Sequence, residues 1–407
     1  MTHHQVVVTG IGLATAAGIG RDATWSAVCS GRGTAASVPL LAGLPVDFGC
    51  TVPGMEAAVA PLRRKAWRLD RFARLAVLTA REALADARLD PAEWDAGRVG
   101  VVVGSGCGGV ESLWEQQGRL RDRGPEAVSP LMYPLTLINM AAGEVALDCG
   151  AAGPSLATVT ACASGADALA VARTWLTTGV CNIVLAGGAE AGLTRLHVTG
   201  FERLGVLSHR RDDPASASRP FDACRDGFVM GEAAAVLVLE RLDHAQARGV
   251  PVRAVFAGCG SATDAHHPTA PHPEGAGAQR ALERALADAD VHPREVDHVN
   301  AHGTATPLND TIEAGVITRV LPHGPTVTSA KGALGHTLGA AGAVEAALTV
   351  LTIHHALVPP TANLRCVDPA VHLDLVRGAA RPQRVEVAVS HSFGFGGHNT
   401  VLVFRAG

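Results

Sequence analysis

The feature that most constrains this chain is the regular exchange of two patterns along it. Short, nearly continuous apolar runs rich in β-branched residues alternate with longer Ala-rich stretches of helical period. The strand-like runs are 5–12, 98–106, 182–191, 234–242, 251–260, 296–303, 385–392 and 399–407. Between them, 70–89, 164–179, 276–289 and 339–353 read as helices. Strands that are apolar on both faces need cover on both sides, and intervening helices supply it, so the pattern predicts an α/β protein. The two halves share an outline. Each opens on a Gly-terminated strand and places a Gly-rich helix late, CASGADALAVA (162–172) in the first and LGAAGAVEAALTV (338–350) in the second. We read two duplicated halves, 1–250 and 251–407, in one body. The polar stretch 209–227 reads as a long surface loop.

Composition excludes several classes. With 407 residues, 47% hydrophobic and 18% charged, the chain has ample material for a core and does not read as disordered or coiled-coil. A net charge of −4 recruits neither nucleic acid nor an anionic membrane, so a basic partner site must be local. The nine cysteines are scattered singly with no CxxC pair, which suits a reducing compartment. No basic leader or apolar run of membrane length is evident, so the expected location is cytoplasmic, with no membrane span. Of 34 Lys and Arg only Lys65 and Lys331 are lysine.

Four motifs stand apart. In TACASG (160–165) a β-prone run ends at Cys162 and a helix begins, placing sulfur where the macrodipole and free N–H groups favour a thiolate. A lone cysteine is also simply a small buried hydrophobe. In HGTATP (302–307) and KGALGH (331–336), His302 and His336 each follow a strand beside glycines, with Lys331 close to the second. A thiol with two imidazoles suits acyl transfer: sulfur takes the acyl group and N–H donors stabilise developing oxyanions. The glycines of SFGFGGHN (392–399) permit close backbone approach and an oxyanion-hole amide. Phosphate cradling by this loop or by 104–109 lacks the required spacing. Asp264, His266, His267 and His272 lack paired metal-ligand spacing and read as a Pro-rich loop lining a pocket, so no metal is expected.

Together these motifs resemble the β-ketoacyl-[acyl-carrier-protein] synthases of the thiolase superfamily, and the likeness extends over nearly the whole chain. The resemblance implies a five-layer αβαβα thiolase-like fold and a decarboxylative Claisen condensation of malonyl-carrier with a Cys-bound acyl chain. It implies Cys162 as nucleophile, His302 and His336 as the pair that promotes decarboxylation, and Lys331 as their support. It further implies an oxyanion hole from the amides of Cys162 and Phe395, pantetheine contacts from Thr304 and Thr306, and Phe395 as a gate facing Thr269. Cys107 and Met132 fall where the family lines its acyl tunnel. Arg63, Arg64, Lys65 and Arg68 form a basic cluster suited to an acidic carrier protein. No cofactor is implied beyond the phosphopantetheine of that carrier, and the expected assembly is a homodimer or a heterodimer with a chain-length-factor subunit. Composition inclines the reading to type II polyketide synthesis, with fatty-acid elongation as the alternative. A CoA-dependent thiolase would need a second cysteine near the last Gly-rich motif, and a non-catalytic scaffold would not keep Cys162. Glu232 to Ala235 and His391 depart from the family's usual residues.

Overall fold

The computed structural model describes residues 4–58 and 66–407. Its centre is a 12-stranded sheet, of which eleven strands form one path. In chain order the elements used below are β1 (Val6–Thr15), α1 (Arg71–Asp86), β2 (Val99–Gly104), α2 (Met140–Cys149), β3 (Ser155–Leu156), α3 (Ser164–Thr177), β4 (Ile183–Glu190) and β5 (Ala233–Arg241). They continue with β6 (Ala254–Thr263), α4 (Ala276–Asp288), β7 (His298–Asn300), α5 (Pro307–Val320), β8 (Thr326–Thr328), α6 (Ala341–His355), β9 (Asp374–Leu375), β10 (Val387–Gly394) and β11 (His398–Arg405).

Strand order runs β9-β8-β7-β10-β11-β6-β1-β5-β4-β2-β3. The first five strands pair as β3-β2-β4-β5-β1, and β6, β7, β8, β10 and β11 repeat that order and the same parallel and antiparallel senses. The two sets meet where β1 pairs β6 through only Val7↔Val255 and Val8↔Ala254.

Alternation along the strands assigns each face. In β5, Ala235, Leu237 and Leu239 pack inward with α3 and α6, whereas Ala234, Val236 and Val238 pack outward against α1 and α2. In β11, Leu402 and Phe404 join the same inner core while Val401 and Val403 face α4 and α5. Two sheet halves thus enclose a central helix layer and carry outer helices, the five-layer α/β arrangement. The middle layer is the driest part: every residue from Ala341 to Ile353 of α6 is buried.

Three expectations are corrected. The strand expected over 296–303 is regular only over His298–Asn300, with single backbone bonds from Asp297 and Ala301 at its ends, because the following residues turn into the cavity described below. The β-prone run before Cys162 is not a strand at 157–160, and Cys162 itself lies in a single 3₁₀ turn. The stretch 209–227 is irregular but not superficial. Arg219, Asp222 and Arg225 are buried, and the Arg225 guanidinium donates to the carbonyls of Asp222, Thr306 and Pro307. Side chains here satisfy backbone groups that water would otherwise serve, which lets a loop lie inside.

Candidate active site

Residues far apart in the chain converge at the inner end of a cavity of about 280 Å³, lined by Cys162, His302 and His336 and, toward its mouth, by Thr304, Thr306 and Phe395. The sulfur is set by local backbone. Ser164 Oγ donates to the Ala161 carbonyl and accepts from the Thr160 amide, closing the turn that begins α3. Ala161 is thereby held at φ 51°, a left-handed conformation that costs a non-glycine residue free energy. Ala305 (φ 65°) and Leu338 (φ 49°) repeat this strain beside the other site segments.

His336 Nε2 lies 3.1 Å from Cys162 Sγ. The Leu338 amide donates to His336 Nδ1 at 3.3 Å, which leaves the proton of the neutral ring on Nε2. The His302 ring lies 5.4 Å from that of His336, nearly perpendicular to it. Its Nδ1 receives the Lys331 ammonium at 3.3 Å, so its proton also belongs on Nε2. Lys331 further donates to the His302 carbonyl at 2.6 Å and pairs with Glu345 inside the core. Burial, followed by the nearby Lys331 charge, holds both imidazoles well below the usual histidine range. The two rings are therefore neutral N–H donors at physiological pH, suited to stabilising an oxyanion and poorly suited to removing protons.

The thiol behaves otherwise than its helix-start position suggests. Burial pushes the Cys162 thiol up to about 12, and Lys331 and the Phe395 amide pull it down only in part. Desolvation outweighs the Lys331 charge and the Phe395 amide, so the resting group is a thiol. The Phe395 amide reaches the sulfur because Gly394 precedes it: a Cβ there would meet Thr160 O at 2.5 Å and Cys162 N at 3.2 Å. The amides of residues 162 and 395 thus share one corner. Gly396, at φ 86°, donates to the Pro268 carbonyl, joining the Phe395 loop to the loop that carries Thr269 into the same cavity. The Thr304 and Thr306 hydroxyls, 2.8 Å apart, line the same cavity.

Other expected residues lie elsewhere. Cys107 and Met132 are not among the cavity's lining residues. The Cys107 amide donates to Glu190, and Met132 starts a short helix on a half-exposed segment. Arg63, Arg64 and Lys65 lie outside the described residues. Arg68 is paired at 3.3 Å with the buried Glu144. Among the described residues no cluster of His, Cys, Asp or Glu is placed to hold a metal ion.

Three buried acids received no role from the motifs, although Glu345 stands out inside the apolar run of its helix. Glu345 pairs with Lys331; burial pushes its carboxyl up to about 7 while Lys331 opposes. Glu313 accepts from the amides of His302 and Gly303 at 2.8 Å and binds His391 Nδ1 at 3.0 Å. Glu190 accepts from four donors around the cysteine turn, described further below. Glu190 and Glu345 are single acids in apolar runs, and that is the signal that would have found them: such a charge is stable only when partnered.

The chain matches two consecutive family models, the N-terminal domain of beta-ketoacyl synthase over residues 3–245 and its C-terminal domain over 253–365. It is 42% identical to the 3-oxoacyl-[acyl-carrier-protein] synthase 2 of Synechocystis sp., over 98% of each chain. Among solved structures, a beta-ketoacyl synthase from Burkholderia phymatum superposes with a TM-score of 0.93 at 36% identity, covering 99% of this chain and all of that one. The ishigamide ketosynthase/chain length factor superposes at 0.91 with 32% identity over the full length of both. The chain belongs to the β-ketoacyl synthase family, and its fold is thiolase-like.

Proposed function

We propose that this protein is an elongating β-ketoacyl-[acyl-carrier-protein] synthase. Cys162 attacks an acyl-carrier thioester and takes the acyl group, and its proton leaves on the carrier's phosphopantetheine thiol. The amides of Cys162 and Phe395 face the oxyanion formed in that step. Malonyl-carrier then binds with its thioester oxygen against the Nε2–H groups of His302 and His336. Loss of carbon dioxide builds an enolate on that oxygen, the two N–H groups stabilise it, and its carbon attacks the acyl-Cys162 carbonyl; the carbon–sulfur bond breaks, β-ketoacyl-carrier leaves, and the released Cys162 thiolate takes a proton from solvent. Two neutral donors suit a charge that exists only in the transition state and intermediate. Lys331 keeps the His302 proton on Nε2. In this reading Thr304 and Thr306 bind the pantetheine arm, and Phe395, opposite Thr269, admits it. Cys107 and Met132 bound the acyl chain beyond the sulfur.

The observation that carries this reading is a buried sulfur 3.1 Å from one imidazole, with both imidazoles donor-locked at Nδ1. The phosphopantetheine belongs to the carrier, and the enzyme contributes no cofactor of its own. Arg63, Arg64, Lys65 and Arg68 form the carrier's docking edge, Arg68 through whatever charge its pairing with Glu144 leaves. The protein works in the cytoplasm, as two halves, 1–250 and 251–407, of one unit. It pairs with a second copy in fatty-acid elongation or with a chain-length-factor subunit in type II polyketide assembly, and co-purification separates these. A non-catalytic scaffold is disfavoured by the retained Cys162. The test is mass spectrometry after incubation with acyl-carrier protein. An acyl adduct on Cys162 is expected, and an unmodified Cys162 contradicts the proposal.

A further inference from the structure

Glu190 ends β4, a strand buried from end to end, and its own side chain is fully buried. Four donors face it. Oε2 accepts from the Gly106 amide at 2.7 Å and the Gly339 amide at 3.0 Å. Oε1 accepts from the Ser105 hydroxyl at 3.1 Å and the Cys107 amide at 3.3 Å. The carboxylate therefore joins the turn after β2, in the first half of the chain, to the turn after His336, in the second. The two backbones approach this closely because both positions are glycine. A Cβ on Gly339 would stand 2.3 Å from Gly106 N and 2.6 Å from Glu190 Oε2.

The amide that Glu190 holds is next to the one that matters for the reaction. Leu338 N–H donates to His336 Nδ1 and Gly339 N–H donates to Glu190, with Leu338 at φ 49° between them. A left-handed leucine persists only where its surroundings over-determine it, and this carboxylate is the anionic partner within that turn. We propose that Glu190 is a positioning residue: by gripping the Gly339 amide it holds the strained 336–339 turn, fixes the Leu338 amide on His336 Nδ1, and so keeps Nε2–H aimed at Cys162. This rests on the reading of His336 as a donor in the condensation, and the test separates the two.

The grip also titrates. Burial pushes the Glu190 carboxyl up to about 7, against the pull of its amide and hydroxyl donors. The titratable groups that face it are the thiols of Cys107 and Cys162, both held protonated by their burial. Protonating Glu190 places an O–H among N–H donors and weakens the grip, so the positioning is present above about 7 and fades as pH falls.

The experiment measures malonyl-carrier decarboxylation against pH for the wild type, Glu190→Ala and Glu190→Gln, with ¹⁵N spectra of His336. Removing the acceptor in Glu190→Ala should lower kcat about 10²-fold, the scale of losing one oriented donor, with KM within about threefold. In the same variant His336 should lose its single Nε2–H tautomer. Glu190→Gln keeps an oxygen for Gly106 and Gly339 but puts an NH2 where the protonated carboxyl has its O–H, so it should run at the wild type's low-pH level, within about tenfold of the maximum, and the part of the acid limb that belongs to Glu190 disappears because an amide does not titrate. Wild-type kcat and an unchanged His336 tautomer in Glu190→Ala, or an acid limb in Glu190→Gln no shallower than that of the wild type, to which Glu345 also contributes near pH 7, overturns the proposal. If Glu190→Ala does not fold, the Glu190→Gln profile decides alone. A wild-type protein that decarboxylates malonyl-carrier at no pH defeats the synthase reading instead, and the His336 tautomer still judges the positioning claim.

Discussion

The two halves of the molecule build the same five-strand order and the same central helix, yet they bring different things to the cavity. The first half supplies one sulfur, at the start of α3, set by a strained backbone turn. The second supplies two imidazoles and the devices that orient them, a buried ammonium behind His302 and a main-chain amide behind His336. The contrast teaches that a repeated frame fixes where a functional group stands but not its protonation. On one side burial, aided by the Glu190 and Glu345 charges against that of Lys331, keeps a thiol protonated. On the other, burial together with a donor at Nδ1 keeps each ring neutral with its proton facing the cavity.

The largest expected effect comes from breaking the charged device of the second half. Lys331→Met frees His302 Nδ1 and leaves Glu345 without its partner. Decarboxylation should fall about 10²- to 10³-fold, and urea unfolding should show a loss of about 3–5 kcal/mol for a broken buried pair. Adding Glu345→Gln should restore most of the stability and little of the rate. Recovery of both would mean Lys331 serves packing alone.

The next test sharpens the first half. With the thiol raised to about 12, Cys162 is protonated throughout the accessible range, and thiolate rises with pH up to that point. Alkylation by iodoacetamide, followed at Cys162 by mass spectrometry, should accelerate about tenfold per pH unit from 7 to 10 without a plateau. A plateau near neutrality would show that the helix start and the two N–H donors overcome burial. The smallest effect is at the rim. Arg68 already serves the buried Glu144, so Arg68→Ala should raise the carrier KM less than about threefold and leave kcat unchanged. A larger rise that vanishes at high salt would make Arg68 a principal docking residue.

Much of this was legible in the sequence because it depends on local pattern. Apolar runs and Ala-rich periods located β1, β4, β5, β11 and the central helices within a few residues, and Cys162 among small residues with the Gly-flanked His302 and His336 marked the site. What escaped depends on three-dimensional closure. Glu190 takes donors from turns at 105–107 and 339, Glu313 from the 302–303 turn and His391, and Glu345 from the Lys331 ammonium. The 209–227 loop read as superficial because its composition is polar, although Arg219, Asp222 and Arg225 make it an internal brace. The Cys162 thiolate was expected from a helix start, and the desolvation that reverses it is invisible until the cavity exists.

The division between the halves is tested most directly by Cys162→Ala, assayed for both reactions. If the second half alone stabilises the enolate, this variant loses condensation entirely yet still releases carbon dioxide from malonyl-carrier at a rate equal to or above wild type. Loss of decarboxylation along with condensation, in a variant that folds as wild type, would contradict the account.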